Sequence, residues 1–131
     1  MKIINTSGKR KRAIARATLK EGKGIVRINS QLLDIYQPEL AKMRIMEPLV
    51  LSGNDFISKF DINVNVYGGG WQAQSEASRL AIARALAQAN PNLKKVFLEY
   101  DRQLIIADVR RNEPHKPNDS KPRAKRQKSY R

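Results

Sequence analysis

The sequence predicts a mixed α/β domain with an extended basic tail, and three observations carry that expectation. Residues 60–67 alternate apolar and polar side chains with a period of two, the signature of a half-buried strand. Residues 72–89 are alanine-rich, with the propensity to run as a helix of several turns. The charge is confined to the ends. Of the 131 residues, 26 are Lys or Arg and 12 are Asp or Glu, a formal net charge of +14. Residues 1–23 hold eight cations against Glu21 alone, and residues 110–131 hold nine against Glu113 and Asp119, so each end carries +7. Residues 24–109 carry nine of each sign and are neutral, as an ordinary globular body is. The division follows: a folded domain over 1–109, including the basic N-terminal block, and an extended basic tail over 110–131.

Along the chain, Ala13 to Leu19 alternates small or apolar residues with Arg16 and Thr18, and Ile25 to Ile28 is a short β-prone run. The glycines of Glu21-Gly22-Lys23-Gly24 between them predict a β-hairpin. Pro38 suits the first position of a helix through Leu40, Met43 and Ile45 to Glu47, which Pro48 then obstructs. Gly53-Asn54 marks the next break. In the strand over 60–67, Phe60, Ile62, Val64 and Val66 share one face, with Asp61, Asn63, Asn65 and Tyr67 on the other. Gly68-Gly69-Gly70 leads into the long helix, whose small residues allow close packing on a sheet. Asn90-Pro91 reads as the cap and first turn of a short helix through Val96 and Leu98, and Leu104 to Val109 is the last apolar run. Beyond it Pro114, Pro117 and Pro122 interrupt regular structure, and no large aliphatic residue offers a core.

A charge of +14 exceeds what solubility requires and points to a polyanionic partner, nucleic acid first. Enzymatic function is not expected. His115 is the only histidine and lies in the tail, there is no cysteine, and no motif singles out a carboxylate pair. The glycine run lacks a following Gly-Lys-Ser/Thr, so the Walker pattern fails. No cofactor, metal or small-molecule substrate is expected. Neither a membrane span nor a signal peptide is apparent, so the expected setting is cytoplasmic.

Lys9-Arg10-Lys11-Arg12 concentrates four like charges that a bound phosphate backbone would relieve. The exposed N–H groups of a glycine turn at Gly68, Gly69 and Gly70 would suit a phosphate at a helix N-terminus. In the tail, Arg110, Arg111, Lys116, Lys121, Arg123, Lys125, Arg126, Lys128 and Arg131 combine dense cations with rigid prolines and one aromatic, Tyr130. Extended, such a tail of roughly 20 residues spans about 60 to 70 Å, enough to thread between RNA helices.

Three blocks stand in order along the chain: Ser7-Gly8-Lys9-Arg10-Lys11-Arg12-Ala13-Ile14-Ala15-Arg16-Ala17; residues 68–70 followed by Ala77 to Leu86; and Tyr100-Asp101-Arg102 through Asp108-Val109-Arg110-Arg111-Asn112-Glu113-Pro114, ending Gln127-Lys128-Ser129-Tyr130-Arg131. Together they resemble the universal family of small-ribosomal-subunit protein nine. The Lys-Ser-Tyr-Arg ending, short N-terminus and compact tail look archaeal. The resemblance implies a two-layer sandwich of a mixed four-stranded sheet with helices on one face and a left-handed β-α-β crossover, similar to the second domain of small-subunit protein five. It implies a place in the small-subunit head, bound to the 3′ major domain of the rRNA beside neighbouring head proteins. Contacts to rRNA are then expected from Lys9, Arg10, Lys11, Arg12, Arg16, the three glycines, Gln72, Arg79 and the tail cations from Arg110 to Arg126. Lys128, Ser129, Tyr130 and Arg131 would approach the anticodon stem-loop of P-site tRNA. Two positions depart from the family pattern: Ala73 stands where a close-approach glycine is expected, and His115 where lysine is usual. The rival reading is a free basic nucleic-acid-binding protein, an RNA chaperone or chromatin-like, using the same charges without a fixed site.

Overall fold

The computed structural model describes residues 2–124 together with Ser129 and Tyr130. In chain order the elements are β1 (Ile4–Arg10), β2 (Ala13–Glu21), β3 (Val26–Ile28), β4 (Gln31–Leu32), α1 (Glu39–Ser52), α2 (Asn54–Ile57), β5 (Phe60–Tyr67), α3 (Trp71–Ala89) and α4 (Asn92–Tyr100), with 3-10 turns at Leu33–Ile35 and Arg102–Leu104. The strands form one mixed sheet in the order β1-β2-β5-β3-β4. It has five strands where four are expected, the addition being the two-residue edge strand β4.

The hairpin expected between residues 13–19 and 25–28 does not form. β2 instead pairs with β1, leaving Lys11 and Arg12 as the turn, and with β5 on its other side. β3 runs parallel to the far edge of β5. The competition is settled by ladder length, since β5 offers β2 eight paired residues against the three of β3. Residues 22–25 therefore cross the start of β5. Gly22 N–H donates to the Lys59 carbonyl at 2.9 Å, and Asp61 Oδ1 accepts from the N–H groups of Lys23 at 2.8 Å and Ile25 at 3.1 Å. These bonds, from Ile25 first and Lys23 second, hold the Asp61 carboxyl below its ordinary range. The lowered value means that Asp61 stabilises the crossing above the ordinary carboxylate pKa and ceases to as acid protonates it. Amide-exchange protection at Lys23 and Ile25, corrected for the intrinsic pH dependence, is expected to fall once the pH drops through that lowered value. In Asp61→Ala, which removes the acceptor, it is expected to be low at every pH.

α1 and α2 bridge the parallel strands β3 and β5. Pro48 does not end α1, contrary to expectation. A proline removes one amide donor and crowds the preceding turn, but Ile45, Pro48 and Leu49 are buried together and packing carries the helix onward. Ser52 Oγ donates to the Pro48 carbonyl at 2.7 Å, and the stop comes at Gly53, whose φ is 86°. α4 begins as expected, with Asn90 Oδ1 accepting from Asn92 N–H at 3.2 Å beside Pro91.

α3 packs across β1, β2 and β5 and against α1 and α4. Ala77, Ala81 and Ala85 recur at four-residue spacing and are fully buried, so the helix comes close to the sheet. β2 contributes Ala13, Ala15, Ala17 and Leu19, and β5 contributes Ile62, Val64 and Val66. Phe97 of α4 and Leu104 close the core. The opposite sheet face, with Arg16, Lys20, Asn63, Asn65 and Tyr67, is exposed, which makes two layers. The run after Leu104 adds no strand, and residues 107–124 form neither helix nor strand.

Candidate nucleic-acid interface

At one end of the sheet, the β1–β2 turn presents Lys11 and Arg12 to solvent, with Lys9 exposed just before it. The glycine turn packs directly against this hairpin. A Cβ on Gly68, whose φ is 81°, would lie 2.5 Å from the Arg12 carbonyl oxygen, so only glycine lets β5 turn into α3 here. α3 starts at this junction with no side-chain cap and no acid in its first turn. Its first-turn N–H groups and the positive end of its dipole thus lie beside the Lys11-Arg12 turn. Trp71 and Gln72 are exposed there, whereas Ala73 is half-buried against the core, so its methyl belongs to the packing.

The tail leaves the body at the same end. A cleft of about 610 Å³ is bounded by Lys9, Lys11 and Arg12 on one side and by Arg111, Glu113 and His115 on the other. Lys116, Lys121 and Arg123 are exposed, and Arg123 pairs with Glu113 at 2.7 Å. Ser129 and Tyr130 are exposed, and Lys125, Arg126, Lys128 and Arg131 lie outside the described residues.

Three arginines expected to face RNA are engaged by carboxylates of the protein. Arg10, whose side chain is 11% exposed, pairs with Glu76 at 2.7 Å and Asp108 at 3.5 Å, and donates to the Arg110 carbonyl at 3.3 Å. Arg79, 13% exposed, pairs with Glu47 at 2.6 Å and Asp101 at 2.9 Å. Burial pushes the Asp101 carboxyl up, but the Gln103 N–H and Arg79 outweigh it and the net direction is down. Arg110 grips Asp108 through Nε and NH2 at 3.0 and 2.7 Å while remaining largely exposed itself. This grip, with the Arg110 backbone N–H, holds Asp108 far below the ordinary carboxylate range. Arg16 stands apart, on the open face of β2.

A family model described as Ribosomal protein S9/S16 matches residues 8–131, which take in the hairpin turn, the glycine turn and the tail together. The chain belongs to the ribosomal protein S9/S16 family. Proteins of three Methanococcus maripaludis strains, S2, C7 and C5, each named small ribosomal subunit protein uS9, are 49% identical to it over 135 aligned positions that cover all of both chains. The archaeal character expected from the ending agrees with these relatives. Within this S9/S16 chain, sequence reasoning passed over Glu76 and Asp108, the acceptors for Arg10, and Arg84. Arg84 donates to the Ile105 and Ser7 carbonyls, each at 2.9 Å, and so ties the segment after α4 to β1. The sole local cue was the two-residue spacing of Asp108 and Arg110, which suits a side chain folding back on a nearby backbone N–H.

Proposed function

We propose that this protein is a structural constituent of the small ribosomal subunit head, seated on the 3′ major domain of the rRNA, with its tail tip contacting P-site tRNA. The observation that carries the reading is the convergence of Lys9, Lys11, Arg12, the glycine turn and the tail root at one end of a body whose residues 24–109 are neutral. Such an end neutralises phosphate and releases counterions without requiring chemistry. The relatives' name, small ribosomal subunit protein uS9, supplies the particle. Lys9, Lys11, Arg12, Arg111, Lys116 and Lys121 are the cations best placed to meet rRNA, with Arg16 reaching it from the open sheet face and Gln72 with residues 68–70 bringing backbone N–H groups to phosphate. Arg10 and Arg79 act through the fold that presents them. Lys125 and Arg126 extend the tail along rRNA, and Lys128, Ser129, Tyr130 and Arg131 meet the anticodon stem-loop.

Deletion of residues 128–131 tests the tail. Subunits reconstituted with the truncated protein are expected to assemble normally and to bind P-site tRNA about tenfold more weakly, the equivalent of one or two charge-assisted contacts. Defective assembly with unchanged tRNA affinity would remove the tip from the tRNA site.

A further inference from the structure

Arg10 belongs to the run of four cations that charge alone assigns to RNA, yet its guanidinium is turned into the protein. Its Nε meets Glu76 of α3, its NH2 faces Asp108, and its NH1 reaches the Arg110 carbonyl. Asp108, 13% exposed, is held in turn by the Arg110 side chain and by the Arg110 N–H at 2.9 Å. Arg84 of α3 bridges the Ser7 carbonyl and that of Ile105, which lies three residues before Asp108. The segment over residues 105–110 is thus fastened to β1 and α3 by arginines; Ile105 also packs against the core, but no strand pairing holds the segment and beyond Ile105 the arginine contacts carry it. Beyond it, Arg111 and His115 come to rest across the cleft from Lys9, Lys11 and Arg12. Like charges repel, so without an anchor the tail root would swing away from the hairpin. The carboxylates of Glu76 and Asp108, which meet Arg10 and Arg110 in a neighbouring pocket, supply the attraction that offsets it.

We infer that Arg10, Glu76 and Asp108 form a staple that sets the direction in which the tail leaves the body, merging the two cationic ends into one continuous RNA-facing surface. These are positioning residues. They make no RNA contact and act by holding Arg110 and Arg111 in register with the hairpin turn, so the tail's path is fixed before it meets RNA and less ordering is left to binding. The inference rests on the proposed role of the tail for its functional consequence, but not for its geometry.

The absence of cysteine allows a direct test on the full-length protein. Spin labels on Lys11→Cys and His115→Cys report the distance across the cleft. Adding Asp108→Asn is expected to broaden and lengthen that distance distribution while leaving far-UV circular dichroism unchanged. In reconstituted subunits Asp108→Asn is expected to weaken P-site tRNA binding about threefold, and to add nothing once residues 128–131 are deleted, because both act on the same contact. A merely structural residue would weaken binding equally with or without the tip. An unchanged distance distribution overturns the staple, whatever the tRNA result. A broadened distribution with unchanged tRNA affinity, while the tip deletion does weaken binding, overturns its functional role alone. If the tip deletion itself has no effect, the tRNA reading fails and the distance measurement still decides the geometry.

Discussion

Replacing Lys9, Lys11 and Arg12 together with glutamine is expected to lower affinity for the 3′ major domain rRNA by roughly two to three orders of magnitude at about 0.1 M salt. Each phosphate contact contributes about 0.7 to 0.9 to the slope of log affinity against log salt, so the slope should become shallower by about 2 to 3. All three side chains are exposed, and none takes part in an ion pair or side-chain hydrogen bond among the described residues. The fold should therefore be retained, and the melting temperature should stay the same or rise as like-charge repulsion is relieved. Arg10→Gln is the contrasting variant. It leaves Glu76 and Asp108 without their shared partner, so it is expected to lower stability and leave the salt slope almost unchanged. Filter binding across a salt series, beside thermal melts of the same proteins, separates the two classes. Equal slope changes for Arg10→Gln and for a single exposed lysine would mean that the guanidinium leaves its carboxylates when RNA arrives.

That contrast marks where sequence reasoning stops. β5 and α3 were legible nearly to the residue, because strict alternation over 60–67 and the alanine run each satisfy one periodicity and contradict the other. The glycine turn was legible for a similar reason, since a strand and a helix can meet there only through backbone that L side chains rarely adopt. Strand partnership was not legible. The glycines of residues 21–24 suit a hairpin, but β1 and β5 offered β2 longer ladders, and ladder length depends on segments distant in sequence. Pro48 misled because its local cost was visible and the burial of its neighbours was not. For the site, charge density pointed to the cationic end of the molecule but could not separate cations that face solvent from cations that face carboxylates. Arg10 and Lys11 are adjacent, and what divides them is that Arg10 ends β1 beside Glu76 and Asp108, 66 and 98 positions away, whereas Lys11 lies in the turn.

Gly8→Ala is expected to cost about 3 kcal/mol, the upper part of the range for forcing an extra methyl into a closely packed contact. A Cβ at residue 8 would lie 2.3 Å from the Ala77 carbonyl oxygen and 2.8 Å from the Ala81 nitrogen. Both are backbone atoms of α3, so no side chain can rotate aside and the strand and helix must separate. Separation also strains the bond from Thr6 Oγ1 to the Ala81 carbonyl, 2.7 Å long in the native fold. Against a total stability of about 5 to 15 kcal/mol for a domain of this size, the loss is large, and the urea midpoint should fall by about 2 M. Gly70→Ala serves as the comparison: its added methyl meets nothing within 4 Å, and the change should cost about 1 kcal/mol at most, as expected at a helix N-cap. The consequence reaches the site because Gly8 immediately precedes the cationic run Lys9–Arg12 and seats β1 on the helix that carries Glu76. At urea concentrations where Gly8→Ala remains folded, it should therefore also widen the Lys11–His115 distance. A full loss of stability with an unaltered distance would show that the hairpin turn holds its place independently of the strand behind it.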